Sequence, residues 1–134
     1  MPAAAAADVE VSRDGARLLV HNDSGGSVEI SGSGGSVTVT AASTTVTVAG
    51  GAADCTSGGA QTATCTGVDG LTFTVSGSEA DDVSLTYLTG AGAISVSTGA
   101  GADSVAGSPG DDHLDGGDGD DTIIGGDGDD TIIG

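Results

Sequence analysis

Residues 116–124 and 125–133 are one nonapeptide written twice, Gly-Gly-Asp-Gly-Asp-Asp-Thr-Ile-Ile. A repeat this short cannot enclose a core of its own, so each unit has to be covered by its neighbours. Glycine stands at positions 1, 2 and 4, aspartate at 6 and an aliphatic residue at 8. The glycines let the chain reverse and bring backbone carbonyls close together. The aspartate supplies charge at the end of the turn, and the aliphatic side chain anchors the turn to an apolar interior. Hard cations that take about 6–8 oxygens, from carboxylates and carbonyls alike, suit such a turn. A tract of glycine and aspartate otherwise reads as disordered. Two perfect copies with a fixed aliphatic position argue against disorder once a cation is bound, and for it when the cation is absent.

The spacing of aliphatic residues extends the signal upstream. Val9/Val11 recur nine residues on as Leu18/Val20, and after a one-residue slip come Val28/Ile30, Val37/Val39 and Val46/Val48. Residues 49–70 interrupt the pattern with a loop of Gly, Ala, Thr and Cys. Alternation returns in Leu71-Thr72-Phe73-Thr74-Val75, then Val83/Leu85/Tyr87 and Ile94/Val96. From Val96 a nine-residue ladder runs through Val105, Leu114, Ile123 and Ile132. Period-2 alternation means short strands with one buried face. Nothing has a helical period, and 26 glycines oppose helices further. The expected fold is all-β: a C-terminal solenoid, which the similarity of the nonapeptide to the known parallel β-roll repeat implies is a right-handed parallel β-roll, preceded by a short-strand β region. For residues 8–48 two arrangements stay open, a metal-free extension of the solenoid or a small sandwich. The turn at Arg13-Asp14-Gly15 favours an antiparallel hairpin and so the sandwich. The organisation is thus 1–7 as a tail or signal-peptide remnant, 8–70 as the N-terminal β region with its Cys55–Cys65 loop, and 71–134 as the roll.

Charge narrows the function. The chain has 20 acidic residues against two basic ones, Arg13 and Arg17, for a formal net charge of −18. That balance opposes binding to nucleic acid or anionic membrane and suits a cation binder. No run of about 18 apolar residues is present, so no transmembrane helix is expected. Phe73 and Tyr87 are the only aromatics, so burial must come mostly from stacked Val, Ile, Leu and Ala.

In the nonapeptide frame, the unit at 98–106 carries Gly99, Gly101, Asp103 and Val105. The unit at 107–115 carries Gly110, Asp112 and Leu114, with Ser108 in place of a glycine. The unit at 89–97 has Ile94 where the aspartate belongs. Through residues 98–133 strongly, and 77–97 weakly, the chain resembles the hemolysin-type (RTX) calcium-binding repeat proteins. The resemblance implies Ca²⁺ and a roll in which two nonapeptides form one coil of 18 residues. It also implies an ion between stacked turns, held by carbonyls of positions 2 and 4 and the aspartate of one turn. Carbonyls of positions 1 and 3 and the aspartate of the turn one coil later complete the set. Site one is then Gly99, Gly101 and Asp103 with Gly116, Asp118 and Asp121. Site two is Ser108, Gly110 and Asp112 with Gly125, Asp127 and Asp130. Asp118 and Asp127 would ligate through their backbone oxygens. Ile94 removes the carboxylate that would face Asp112. Asp82 looks like a position-6 residue counted from Gly77, but Val83 then takes position 7 and three extra residues break the phase. Asp111, Asp115, Asp120 and Asp129 read as solvated rim charges. An EF-hand starting at Asp118 fails, because its fifth position is Thr122 and no Glu follows. Ending at position 1 of a further unit, without a polar cap, the chain reads as a fragment of a longer array.

Cys55 and Cys65 lack the partners of a zinc site and are expected to form a disulfide, worth about 3 kcal/mol in the chain-entropy model. That implies an oxidising compartment and hence secretion. The loop, the strands after it and the Gly-rich repeats together are similar to secreted actinobacterial calcium-binding repeat proteins. His21 and His113 read as surface residues. No catalytic constellation is visible, so the chain is not expected to be an enzyme. The leading function is an extracellular calcium-binding structural module whose roll folds on the metal, with any protein or surface partner unknown. The alternatives are an adhesin or surface-binding module and the non-catalytic part of a larger secreted enzyme. A more remote one is ice binding by outward Thr rows such as Thr38/Thr40 and Thr45/Thr47.

Overall fold

The computed structural model describes residues 8–22, 26–42, 45–48, 54–75 and 78–134. The tail or signal remnant expected at 1–7 lies outside them, as does Gly77. Fifteen strands and no helix are found among the described residues.

Hairpins open the chain. β1 (Asp8–Asp14) and β2 (Arg17–Asn22) pair antiparallel, as do β3 (Gly26–Ser33) and β4 (Ser36–Ala41). The second hairpin turns on Gly34 and Gly35, both at positive φ (58° and 80°), the conformation a tight two-residue hairpin loop requires. β5 (Thr45–Val48) then lies parallel to β1. The antiparallel hairpin expected around Gly15 is therefore present, and the mixed sheets give this region a sandwich-like character.

Where a Cys-bearing loop was expected, β6 (Cys55–Gly59) and β7 (Thr62–Cys65) form a third antiparallel hairpin. Cys55 and Cys65 face each other across it and are disulfide-bonded. Cross-strand threonine pairs such as Thr56 and Thr64 suit a ladder better than the glycine content suggests.

From residue 71 the strands, apart from one of two residues, alternate between two sheets. β8 (Leu71–Val75), β11 (Ile94–Ser97), β13 (Asp112–Asp115) and β15 (Thr131–Ile133) stack parallel in one. β9 (Asp81–Ser84), β12 (Ser104–Ala106) and β14 (Thr122–Ile124) stack parallel in the other. β10 (Leu88–Thr89) is a two-residue strand beside β3. This is the β-roll. β8 also pairs with β2, and β9 with β3, both parallel, so each sheet runs on from the hairpins into the roll.

The core lies between the sheets. Val9, Leu18, Ile30, Val39, Leu71, Phe73 and Val96 are all 0–1% exposed. Along the ladder, Val105 and Leu114 are buried, Ile123 is half-buried, and Ile132 is 49% exposed. Tyr87 departs from the expected alternation. The amide of Leu88 donates to the carbonyl of Leu85 at 2.9 Å, closing a turn that buries both leucines and leaves Tyr87 70% exposed.

Candidate metal centre

Parallel pairing fixes the position-6 residues in two columns at the ends of the strands. Ser104 pairs with Thr122 and His113 with Thr131, each a step of one 18-residue coil. Asp121 therefore lies over Asp103, and Asp130 over Asp112. The amide of Asp103 donates to Oδ1 of Asp121 at 3.0 Å, and the amide of Asp112 donates to Oδ1 of Asp130 at 3.0 Å. Each upper carboxylate thus grips the turn below it.

Glycine is required where turns stack. A Cβ on Gly117 or Gly119 would run into the carbonyl oxygen of Gly99 or Gly101 beneath it. Both glycines also have positive φ, 82° and 142°. Gly126 and Gly128 stand in the same way over Ser108 and Gly110. The carbonyls of Gly99, Gly101, Ser108 and Gly110 therefore face the turn above, and that of Asp118 faces the turn below. Among them, Gly99 O accepts from the Asp118 amide at 2.8 Å, and Asp118 O accepts from the Gly101 amide at 2.9 Å. A carbonyl has a second lone pair, so these bonds leave each oxygen able to face a cation.

The two columns differ in their carboxylates. Asp103 is 2% exposed, and its Oδ2 and that of Asp121 are buried with no hydrogen-bond partner. A buried, unpaired carboxylate oxygen is costly, and a divalent cation would satisfy it. In the second column, Asp112 is 3% exposed but already engaged: Ser108 donates its amide to Oδ2 at 2.6 Å and its hydroxyl to Oδ1 at 3.0 Å. Burial raises the Asp112 carboxyl above the usual range. The two Ser108 hydrogen bonds oppose this, and the charges of Asp130 and Asp111 add to it. Ile94 pairs in register with Asp112 and is 5% exposed, so this column does lack a carboxylate one coil below. The cleft there is lined by Leu88, Ala91 and Ile94 together with Ser108.

The position-6 place below Asp103 belongs to Asp81, not Asp82. Val83 pairs with Val105 and is buried, which makes it the position-8 anchor and Asp81 the residue two before it. Asp82 pairs with Ser104 and is exposed. The step from Asp81 to Asp103 is 22 residues, so the phase break is four residues and not three. Burial pushes the Asp81 carboxyl up to about 6, helped by the facing Asp103 charge, opposed by a hydrogen bond from the Gly26 amide, and helped again by Glu79. The strand pairing itself was the usable signal: a buried anchor sets the frame more firmly than a count from a glycine.

Two supposed rim charges have structural work. Asp111 Oδ1 accepts the amide of Asp129 at 2.8 Å, and Asp115 Oδ1 accepts the amide of Gly117 at 3.1 Å. Asp120, Asp129, His21 and His113 are exposed. Thr38 Oγ1 shares a 3.0 Å hydrogen bond with Thr64 Oγ1, while the side chains of Thr45 and Thr47 lie outside the described residues. Among the described residues no three or more His, Cys, Asp or Glu side chains converge, so any ion here depends on backbone oxygens as well as paired carboxylates.

Residues 97–132 match the family model of the RTX calcium-binding nonapeptide repeat in four copies. This stretch of the chain is an array of RTX-type calcium-binding repeats. No curated protein and no solved structure shows a significant match to it. The four RTX copies take in Asp103, Asp112, Asp121 and Asp130, and stop short of Asp81. Calcium is thus the cation that the stacked turns serve, and its charge would neutralise carboxylates that the fold otherwise leaves facing one another.

Proposed function

We propose that this chain is an extracellular, non-catalytic structural module whose RTX roll folds around calcium. The observation that carries the reading is the pair of buried, unpartnered Oδ2 atoms on Asp103 and Asp121, stacked one coil apart. A fold that buries such atoms is incomplete without a cation and is driven to completion by one. In residue terms, site one is Gly99, Gly101 and Asp103 with Gly116, Asp118 and Asp121. Site two is Ser108, Gly110 and Asp112 with Gly125, Asp127 and Asp130.

Three features support the module's setting. The Cys55–Cys65 disulfide suits an oxidising compartment. Among the described residues no helix is long and apolar enough to cross a membrane. The net charge of −18 opposes collapse of the metal-free roll and favours calcium entry. The test is a far-UV circular dichroism titration with calcium after EDTA treatment. Strand signal should rise as calcium is added; equal strand content with EDTA and with millimolar calcium would refute metal-driven folding.

A further inference from the structure

We propose that the roll holds an additional calcium ion below the matched repeats, between the turn bearing Glu79 and Asp81 and the turn bearing Gly101 and Asp103. This rests on the calcium-binding reading above and extends it to residues that do not have the nonapeptide pattern.

The geometry of the first column continues downward without change. Asp81 donates its amide to Oδ1 of Asp103 at 2.9 Å, as Asp103 does to Asp121. Beneath Asp81 the Gly26 amide donates to its carboxylate in the same sense. A Cβ on Gly101 would meet the Glu79 carbonyl oxygen, as one on Gly119 would meet Gly101 O. Glu79 therefore occupies position 4 of a turn whose glycine has been lost but whose carbonyl is kept. Backbone oxygens do not depend on the side chain, so the substitution costs no ligand.

Asp81 is 3% exposed and Asp103 is 2% exposed, and the Oδ2 atom of each is buried without a hydrogen-bond partner. Asn22 reaches Asp81 only at Oδ1, at 3.3 Å. Neither arginine neutralises the pair. Arg13 donates to the carbonyls of Thr66 and Gly67, both at 2.6 Å, and Arg17 donates to Thr72 Oγ1 at 2.9 Å. Two buried carboxylates, a converging carbonyl and, among the described residues, neither arginine at hand match the oxygen-only demand of calcium. The four extra residues before β11 leave the site intact, because they bulge at the Leu85–Leu88 turn, away from the strand ends that carry the column.

Isothermal titration with Ca²⁺ tests the site on the unaltered chain and on Asp81→Asn, Asp82→Asn and Asp121→Asn. Asp81→Asn should bind one ion fewer than the unaltered chain, and Asp82→Asn the same number. Loss of an ion in Asp121→Asn but not in Asp81→Asn would overturn this site and leave the repeat sites standing. Loss in neither would overturn both. Crystals of the unaltered chain soaked with Tb³⁺ give a reading that does not depend on a variant folding. An anomalous peak bonded to Asp81 and Asp103 carboxylate oxygens, at roughly the 2.3–2.6 Å of calcium-like coordination, is expected. Its absence, with peaks present between Asp103 and Asp121, would also overturn the proposal.

Discussion

The Asp81 amide holds the Asp103 carboxylate at 2.9 Å across a gap of 22 residues, one coil of the roll lengthened by four. Two acids are thereby stacked in a buried column, and the protonation of Asp81 is tied to folding. The Asp81 carboxyl is raised to about 6, chiefly by burial. Its folded value lies above its unfolded one of about 3.9. Its contribution to stability is therefore full below about pH 4 and is lost as pH rises through 6.

It follows that the calcium-free protein should melt at a higher temperature at pH 5 than at pH 7.5. General repulsion among the acids acts in the same direction, so the slope must be compared with that of Asp81→Asn. The variant should show a smaller loss between the two pH values. Identical slopes would mean that Asp81 is not the group responsible.

Glycine is needed at position 4 only where another turn lies close beneath. Gly119 has a φ of 142° and stands over the Gly101 carbonyl, whereas a Cβ on Gly110 would find only Ser108 Oγ at 3.8 Å. Gly119→Ala should cost on the order of 1–3 kcal/mol from backbone strain, and should weaken calcium binding by forcing the turns apart. Gly110→Ala, which keeps its carbonyl, should leave both properties nearly unchanged. Chemical denaturation and calcium titration of the two variants make the comparison.

Much of this architecture could be read directly from residue spacing. Val105 and Leu114 are legible because a buried anchor every nine residues leaves little choice of register. Gly15 marks its hairpin for a similar reason, since a tight turn between alternating runs has few other solutions. Asp81 is less legible in the sequence. Its unit has Glu79 where a glycine is usual, and counting from Gly77 selects Asp82 instead. Only the pairing of Val83 with Val105 resolves the one-residue difference, and such pairing is a long-range fact. The Cys55–Cys65 hairpin was hidden likewise, because threonine and glycine there suggest a loop until the strands meet across the disulfide.

That disulfide closes β6 onto β7 at the far edge of its sheet, at the opposite end from β14. Replacing both cysteines by serine should therefore lower stability by about 3 kcal/mol without altering calcium stoichiometry. Denaturant melts would report the first effect and isothermal titration the second. A lost ion in the double variant would show that the two ends of the sheet are coupled.

The two calcium columns should also differ in strength, because Ser108 competes with the metal for Asp112. Its hydroxyl and amide already occupy both carboxylate oxygens, at 3.0 and 2.6 Å, while Oδ2 of Asp103 has no partner. Calcium entering the second column must displace or share those bonds. Ser108→Gly removes the hydroxyl bond and frees one oxygen for the ion. The variant should bind at its weaker site several-fold more tightly. Calcium titration resolving two classes of site, with only the weaker one strengthened in Ser108→Gly, would establish the asymmetry. An unchanged weaker class would show that Ser108 does not compete with the ion.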